Sequence, residues 1–167
     1  MRSKLLTALF LILFSNANAN ANANANANAN ANANANANAT IYFSCMTKKG
    51  HVKLSVENHT LVYSLTKDNS EKFKFSSKGT NFSGFGYNYY YRYQTEYKKV
   101  SFNVGAYIYS IFSNYEQDNE ISGVTVSIGG KEYTYNCLSL EKNRLSDLMT
   151  LLKCNKSNAM GCLPNAS

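Results

Sequence analysis

Val124-Thr125-Val126-Ser127-Ile128-Gly129-Gly130-Lys131-Glu132-Tyr133-Thr134-Tyr135 reads as two strands and the turn between them. Apolar or aromatic side chains alternate with polar ones on both sides of the glycines, the period of a strand with one buried face. Gly129-Gly130 supplies the two positive φ values that a primed two-residue turn requires. A hairpin here, and no helix between its strands, points to an antiparallel β protein.

The same alternation extends upstream. Ile41 to Met46 forms a first strand. Val52, Leu54 and Val56 alternate with Lys53, Ser55 and Glu57, and after Asn58-His59 the chain resumes in Leu61 to Leu65. A turn at Lys67-Asp68-Asn69-Ser70 precedes Phe73 and Phe75, which alternate with Lys72 and Lys74. Gly79, Gly84 and Gly86 mark a loop. Two aromatic strands, Gly86 to Glu96 and Tyr97 to Val104, then pair with each other and with Tyr107 to Phe112, and Asn114 to Glu120 reads as a polar loop. The single proline, Pro164, leaves all these strands uninterrupted. From Leu140 the period changes. Leu145, Leu148, Met149 and Leu152 fall at helical spacing, with Ser139 or Asn143 as cap, so one amphipathic helix packs its apolar face on an open end or face of the sheet. The expectation is a mainly β fold, a small antiparallel barrel or sandwich of about eight strands with one C-terminal helix.

At the other end, Arg2 and Lys4 precede an apolar run from Leu5 to Phe14, the pattern of a secretory signal over residues 1–19. The run is about half the length needed to cross a bilayer, so no transmembrane anchor is expected. An Asn-Ala dipeptide repeats without interruption from Asn16 to Ala39. Alanine buries little area and asparagine favours neither helix nor sheet, so residues 20–39 read as a disordered linker. Residues 40–167 are one domain's worth of chain. The formal charge of +7 stays positive after Arg2 and Lys4 are removed, and favours anionic partners.

Cys45, Cys137, Cys154 and Cys162 are an even set in a chain bound for an oxidising compartment, which argues for disulfides over metal ligation. Three pairings are possible. Cys45 and Cys137 each lie in strand-like runs at the ends of the β region, and Cys154 with Cys162 closes a short loop, so these two bonds are the expected pair.

Tyrosine is the unusual feature: the chain holds 13, six of them at Tyr87, Tyr89, Tyr90, Tyr91, Tyr93 and Tyr97. Alternation puts Tyr87, Tyr89, Tyr91 and Tyr93 on one face and Asn88, Tyr90, Arg92 and Gln94 on the other. With the second face exposed, Tyr90 and Arg92 beside Lys72, Lys74 or Lys98 would combine stacking surface with positive charge, as surfaces for sugars, anionic polymers or single-stranded nucleic acid do. His51 and His59 have no evident carboxylate or nucleophile partner in sequence. Glu116, Asp118 and Glu120 lack the spacing of a calcium loop, and no nucleophile-elbow, zinc-protease or phosphate-loop pattern occurs. The chain reads as a non-enzyme without metal or cofactor.

From Ile41 to Leu138 the layout resembles small exported β-proteins of Gram-negative bacteria: a cysteine-bearing first strand (Ile41-Tyr42-Phe43-Ser44-Cys45), a Lys-Gly turn, a Tyr-Arg-Tyr strand, and a closing strand ending in Cys137. It is broadly similar to the envelope inhibitors of c-type lysozyme. Of their Ser-Gly-x-Arg-Tyr motif this chain has Arg92 and Tyr93 without the preceding Ser-Gly. The functional expectation is a periplasmic or secreted binding module recognising an envelope glycan, an anionic surface or a protein. The alternative is an inhibitor of a hydrolase such as lysozyme, inserting the stretch from Lys78 to Gly86 into the enzyme's cleft.

Overall fold

A computed structural model describes residues 39–79 and 81–164. The expected signal segment and all but the last residue of the expected linker lie outside the described residues. The domain is built from ten strands: β1 (Thr40–Thr47), β2 (Gly50–Glu57), β3 (Thr60–Lys67), β4 (Ser70–Ser76), β5 (Phe85–Arg92), β6 (Thr95–Val104), β7 (Tyr107–Glu116), β8 (Asn119–Ile128), β9 (Lys131–Asn143) and β10 (Lys153–Cys154). One short helix, α1 (Leu145–Met149), lies between β9 and β10.

All ten strands belong to one sheet in the order β10-β5-β6-β7-β8-β9-β1-β2-β3-β4. The sheet curls into a half-barrel, which answers the choice between barrel and sandwich. Strand β9 makes this continuity: its first part, from Lys131 to Asn136, pairs with β8, and its second, from Cys137 to Asn143, pairs with β1. Every pairing is antiparallel except the two-residue β10, which runs parallel to β5. The ends of the curl meet through rings. Phe75 of β4 stacks on Phe102 at 4.4 Å and lies 5.2 Å from Phe85, while Phe73 stacks on Tyr109 at 4.9 Å.

Turn chemistry explains the hairpins. Asn58-His59, Asp68-Asn69, Gln117-Asp118 and Gly129-Gly130 each hold two consecutive residues at positive φ, the geometry of the primed turns that match strand twist. The third of these corrects the expected polar loop over Asn114 to Glu120, which is instead the tip of the β7–β8 hairpin: Glu116 pairs with Asn119 and Tyr115 with Glu120. The two aromatic strands also divide three residues earlier than expected, at Tyr93-Gln94, with Gln94 at positive φ. Ten strands stand in place of about eight, the last of them the two-residue β10.

Alternation sends Phe43, Cys45, Val52, Leu54, Leu61, Tyr63, Val100, Phe102, Ile111 and Val124 to the inner face, all buried. Transfer from water of such side chains contributes about 1.5–3 kcal/mol each and is the main stabilising term. The helix begins later than expected because β9 continues to Asn143, so Ser139 sits in a strand and caps nothing. What remains of α1 is just over one turn. It packs Leu145, Leu148 and Met149 against β1 and β6, and Leu152 follows them into the core. Asn143 fixes its entry by donating from Nδ2 to Ser113 Oγ (2.9 Å) and Glu120 Oε1 (2.8 Å).

Both expected disulfides are present. Cys45–Cys137 joins β1 to β9, with Cα atoms 5.6 Å apart across a separation of 92 residues. Cys154–Cys162 closes a loop with a separation of 8. Two such bonds suit an oxidising, extracellular-type compartment. Among the described residues, no helix is long and apolar enough to cross a membrane.

Candidate functional site

The outer face of β5 to β9 carries the residues opposite in parity to the core. On β6 these are Tyr97, Lys99, Ser101 and Asn103; on β7, Ile108, Ser110, Phe112 and Asn114; on β8, Thr125 and Ser127; on β9, Glu132 and Thr134. Cross-strand hydroxyls pair along this face: Ser101 with Ser110 at 2.9 Å, Thr125 with Thr134 at 3.3 Å, and Ser127 donating to Glu132 at 3.1 Å. Such pairs satisfy one valence of each hydroxyl and leave others for a ligand.

A wall rises beside this floor because the loop closed by Cys154–Cys162 folds back over β5. Tyr89 N–H donates to Gly161 O (3.1 Å) and Asn155 N–H to Tyr87 O (3.0 Å). Asn88, which points outward from β5, is only 2% exposed because its Nδ2 donates to both Asn155 O (2.8 Å) and Gly161 O (3.1 Å). The loop also covers part of the β5 edge that a free sheet would present for uncontrolled pairing.

Floor and wall enclose a groove. One part, of about 570 Å³, runs past Asn88, Ser101, Ser110, Asn155 and Asn158. The next, of about 250 Å³, is lined by Tyr97, Phe112, Asn114, Thr125, Thr134 and Met160. Lys99 and Glu132 line both, so the two parts are continuous. Aromatic surface sits at the Tyr97 end, where Tyr90 stacks on Tyr97 with ring centroids 5.7 Å apart. Phe112 lies over Gly123, whose missing side chain makes room for the ring: a Cβ there would come within 3.1 Å of it and 2.4 Å of Tyr135 O.

Of the five residues that sequence reasoning singled out, Tyr90 and Arg92 share this outer face, with Arg92 Nε donating to Thr95 Oγ1 at 3.3 Å. Lys98 does not. It stands opposite Tyr89, on the inner-face parity, and pairs with Glu96 at 2.7 Å. Its neighbour Lys99 is the groove's lysine. Lys72 and Lys74 lie on β4, at the opposite end of the sheet order, where Lys74 is 3.9 Å from Glu71.

His51, read as a surface residue without partners, has two. Its Nε2 lies 2.8 Å from Ser44 Oγ and 3.0 Å from Glu141 Oε2, and Ser44 Oγ donates to the same carboxylate oxygen at 2.6 Å. These bonds, first Ser44's and then His51's, hold the Glu141 carboxyl below its ordinary value of 4.5. One imidazole nitrogen serves both neighbours and the hydroxyl proton is given to the carboxylate, whereas a nucleophile relay needs the two ring nitrogens to serve serine and acid separately. The cluster ties β1, β2 and β9 together on the outer surface. The stretch from Lys78 to Gly86 is also closed on itself, by a bridge between Lys78 and Ser83 in which Lys78 N–H donates to Ser83 O (3.0 Å) and Ser83 Oγ returns a bond to Lys78 O.

Compared with family models, curated proteins and solved structures, the chain finds no match.

Proposed function

We propose that this chain is an exported, non-enzymatic binding module for an acidic envelope glycan, which it takes in the groove on the outer face of β5 to β9. The observation that carries the reading is the groove itself: a floor of serine and threonine hydroxyls, asparagine and disulfide-loop walls, and the Tyr90–Tyr97 stack at one end. Hydroxyl and amide side chains exchange hydrogen bonds with sugar hydroxyls, and the aromatic surface packs against the apolar face of a pyranose ring. Lys99, with Arg92 on the same face, gives the groove a preference for carboxylate-bearing sugars, while Glu132 accepts from hydroxyls. The short, self-bonded Lys78–Ser83 loop offers less to insertion into an enzyme cleft, so the groove supports a binding module better than a hydrolase inhibitor.

The test is a titration of the mature chain with neutral, N-acetylated and uronate-containing tetrasaccharides at low and moderate salt. Uronate oligomers should bind best and weaken with salt, Tyr97→Ala should lower affinity about tenfold, which is about 1.4 kcal/mol, and Lys99→Gln should remove the preference for acidic sugars. Equal affinities for Tyr97→Ala and the parent would contradict the assignment.

A further inference from the structure

Among the described residues, the half-barrel is plugged at one end only. Helix α1 sits at the end marked by Tyr42, Ser113 and Glu120. At the other, the inner face opens into a cavity of about 310 Å³. Its walls are Val52, Leu65, Phe73, Val124 and Val126, with the rings of Tyr63, Tyr109 and Tyr135. Its charged lining residues are two lysines, Lys49 and Lys72, and no carboxylate joins them. Among the described residues neither lysine has an acidic partner within 4.0 Å. Lys48 and Lys49 hold their ammonium groups 5.6 and 5.5 Å from the centre of the Tyr135 ring, at the same mouth.

The polar groups inside sharpen the picture. The Thr47 hydroxyl is committed, donating to Gly50 O (2.9 Å) and accepting from Lys49 N–H (3.1 Å). Burial, and then the nearby Tyr109 phenol, pushes the pKa of Tyr63 up, and burial likewise pushes up that of Tyr109. Both therefore stay neutral at physiological pH, and the cavity's depth offers no charge to a ligand.

We infer that this cavity is a second ligand site, for an amphipathic carboxylate whose single apolar chain enters the half-barrel and whose head group stays at the lysine rim. An apolar wall favours the chain by removing it from water. Lysines at a partly hydrated mouth receive the carboxylate without the cost of burying it at depth. The space corresponds to roughly ten water-sized heavy atoms at about 30 Å³ each, a medium-chain length. The site uses the inner face and shares no residue with the outer groove.

The test uses the full mature chain and decanoate as probe, with decanol and decylamine as controls, followed by calorimetry and tyrosine fluorescence. Decanoate should bind, decanol at least fivefold more weakly, and decylamine not measurably. Lys49→Gln with Lys72→Gln should cost decanoate about tenfold and bring it level with decanol. Val126→Phe, which fills the cavity, should abolish binding, with thermal unfolding showing that the variant remains folded; should it not fold, Val124→Leu provides the smaller filling and should weaken binding severalfold. Tyr97→Ala, in the outer groove, should leave decanoate binding unchanged. No binding of decanoate, equal binding of decanol and decanoate, or decanoate affinity untouched by the lysine and filling variants would overturn the inference, as would association with anionic vesicles in place of free decanoate.

Discussion

Lys98 and Lys99 are adjacent in β6, yet one is held by Glu96 on the inner-face parity and the other lines an open groove. The same split separates Tyr89 from Tyr90, Phe102 from Ser101 and Ile111 from Ser110. On one side of these strands rings and aliphatic side chains pack into the core; on the other, hydroxyls pair across strands and leave donors and acceptors free. The difference teaches that the packed core and the proposed glycan groove draw on opposite faces of these strands, so each is open to perturbation with little effect on the other.

The largest effects on stability should come from the inner face. Replacing Cys45 and Cys137 together by alanine removes a cross-link spanning 92 residues, and in the chain-entropy model lowers unfolding free energy by about 4 to 5 kcal/mol; urea unfolding of the purified variant measures it. Phe102→Ala takes away a ring that is 2% exposed and stacked between Phe75 and Tyr109. It should cost about 3 to 5 kcal/mol by the same assay.

Gly123→Ala lies on the outer face, opposite Phe112, and perturbs the packing as well as the groove. Its new methyl meets the backbone of Tyr135 and Asn136 at 2.4 and 3.0 Å, atoms that do not yield easily, so a loss of about 1 to 3 kcal/mol is expected. The variant also displaces Phe112, and should weaken glycan binding as well as stability.

The smallest effect belongs to the outer face of the other half. Because Glu141 has a lowered pKa when folded, its contribution is present above the ordinary value of 4.5 and is lost as pH falls through the folded pKa. With the carboxylate side chain 49% exposed, solvent screening keeps that contribution under about 1 kcal/mol. Glu141→Gln should therefore lower stability near pH 7 by under about 1 kcal/mol, leave it unchanged at low pH where the carboxyl is already protonated, and so slightly flatten the acid limb of the stability curve below about pH 5.

Much of this architecture was legible in the chain because it rests on local rules. Period-two alternation located the strands, and Asn58-His59, Asp68-Asn69 and Gly129-Gly130 announced their turns. Gln117-Asp118 did not, because glutamine is an uncommon residue at positive φ and the surrounding Glu116, Asp118 and Glu120 suggested solvent. The helix was drawn too long because Leu145, Leu148 and Met149 are periodic, while Leu138 and Leu140 before them belong to a strand whose pairing with β1 no local pattern reveals. The Cys45–Cys137 bond followed from strand placement, and Cys154–Cys162 from the short loop that it closes. Of the candidate site, Tyr90 and Arg92 were assigned to one face of one strand, but which lysine shares that face depends on the turn at Tyr93-Gln94. Dividing the strands three residues late lost the register that separates Lys98 from Lys99. The disulfide loop as a wall, and the meeting of Ser44, His51 and Glu141 across as many as 97 residues, are tertiary events without a local signature.

The most direct test of this division is an amide NMR titration of the mature chain with a uronate tetrasaccharide, run beside thermal unfolding of Tyr97→Ala. Shift changes concentrated at Asn88, Tyr97, Lys99, Ser110, Thr125 and Thr134, together with a variant that unfolds within about 0.5 kcal/mol of the parent yet no longer shows them, are the predicted result. Changes confined to β1 to β4, or an undiminished response in Tyr97→Ala, would contradict the account.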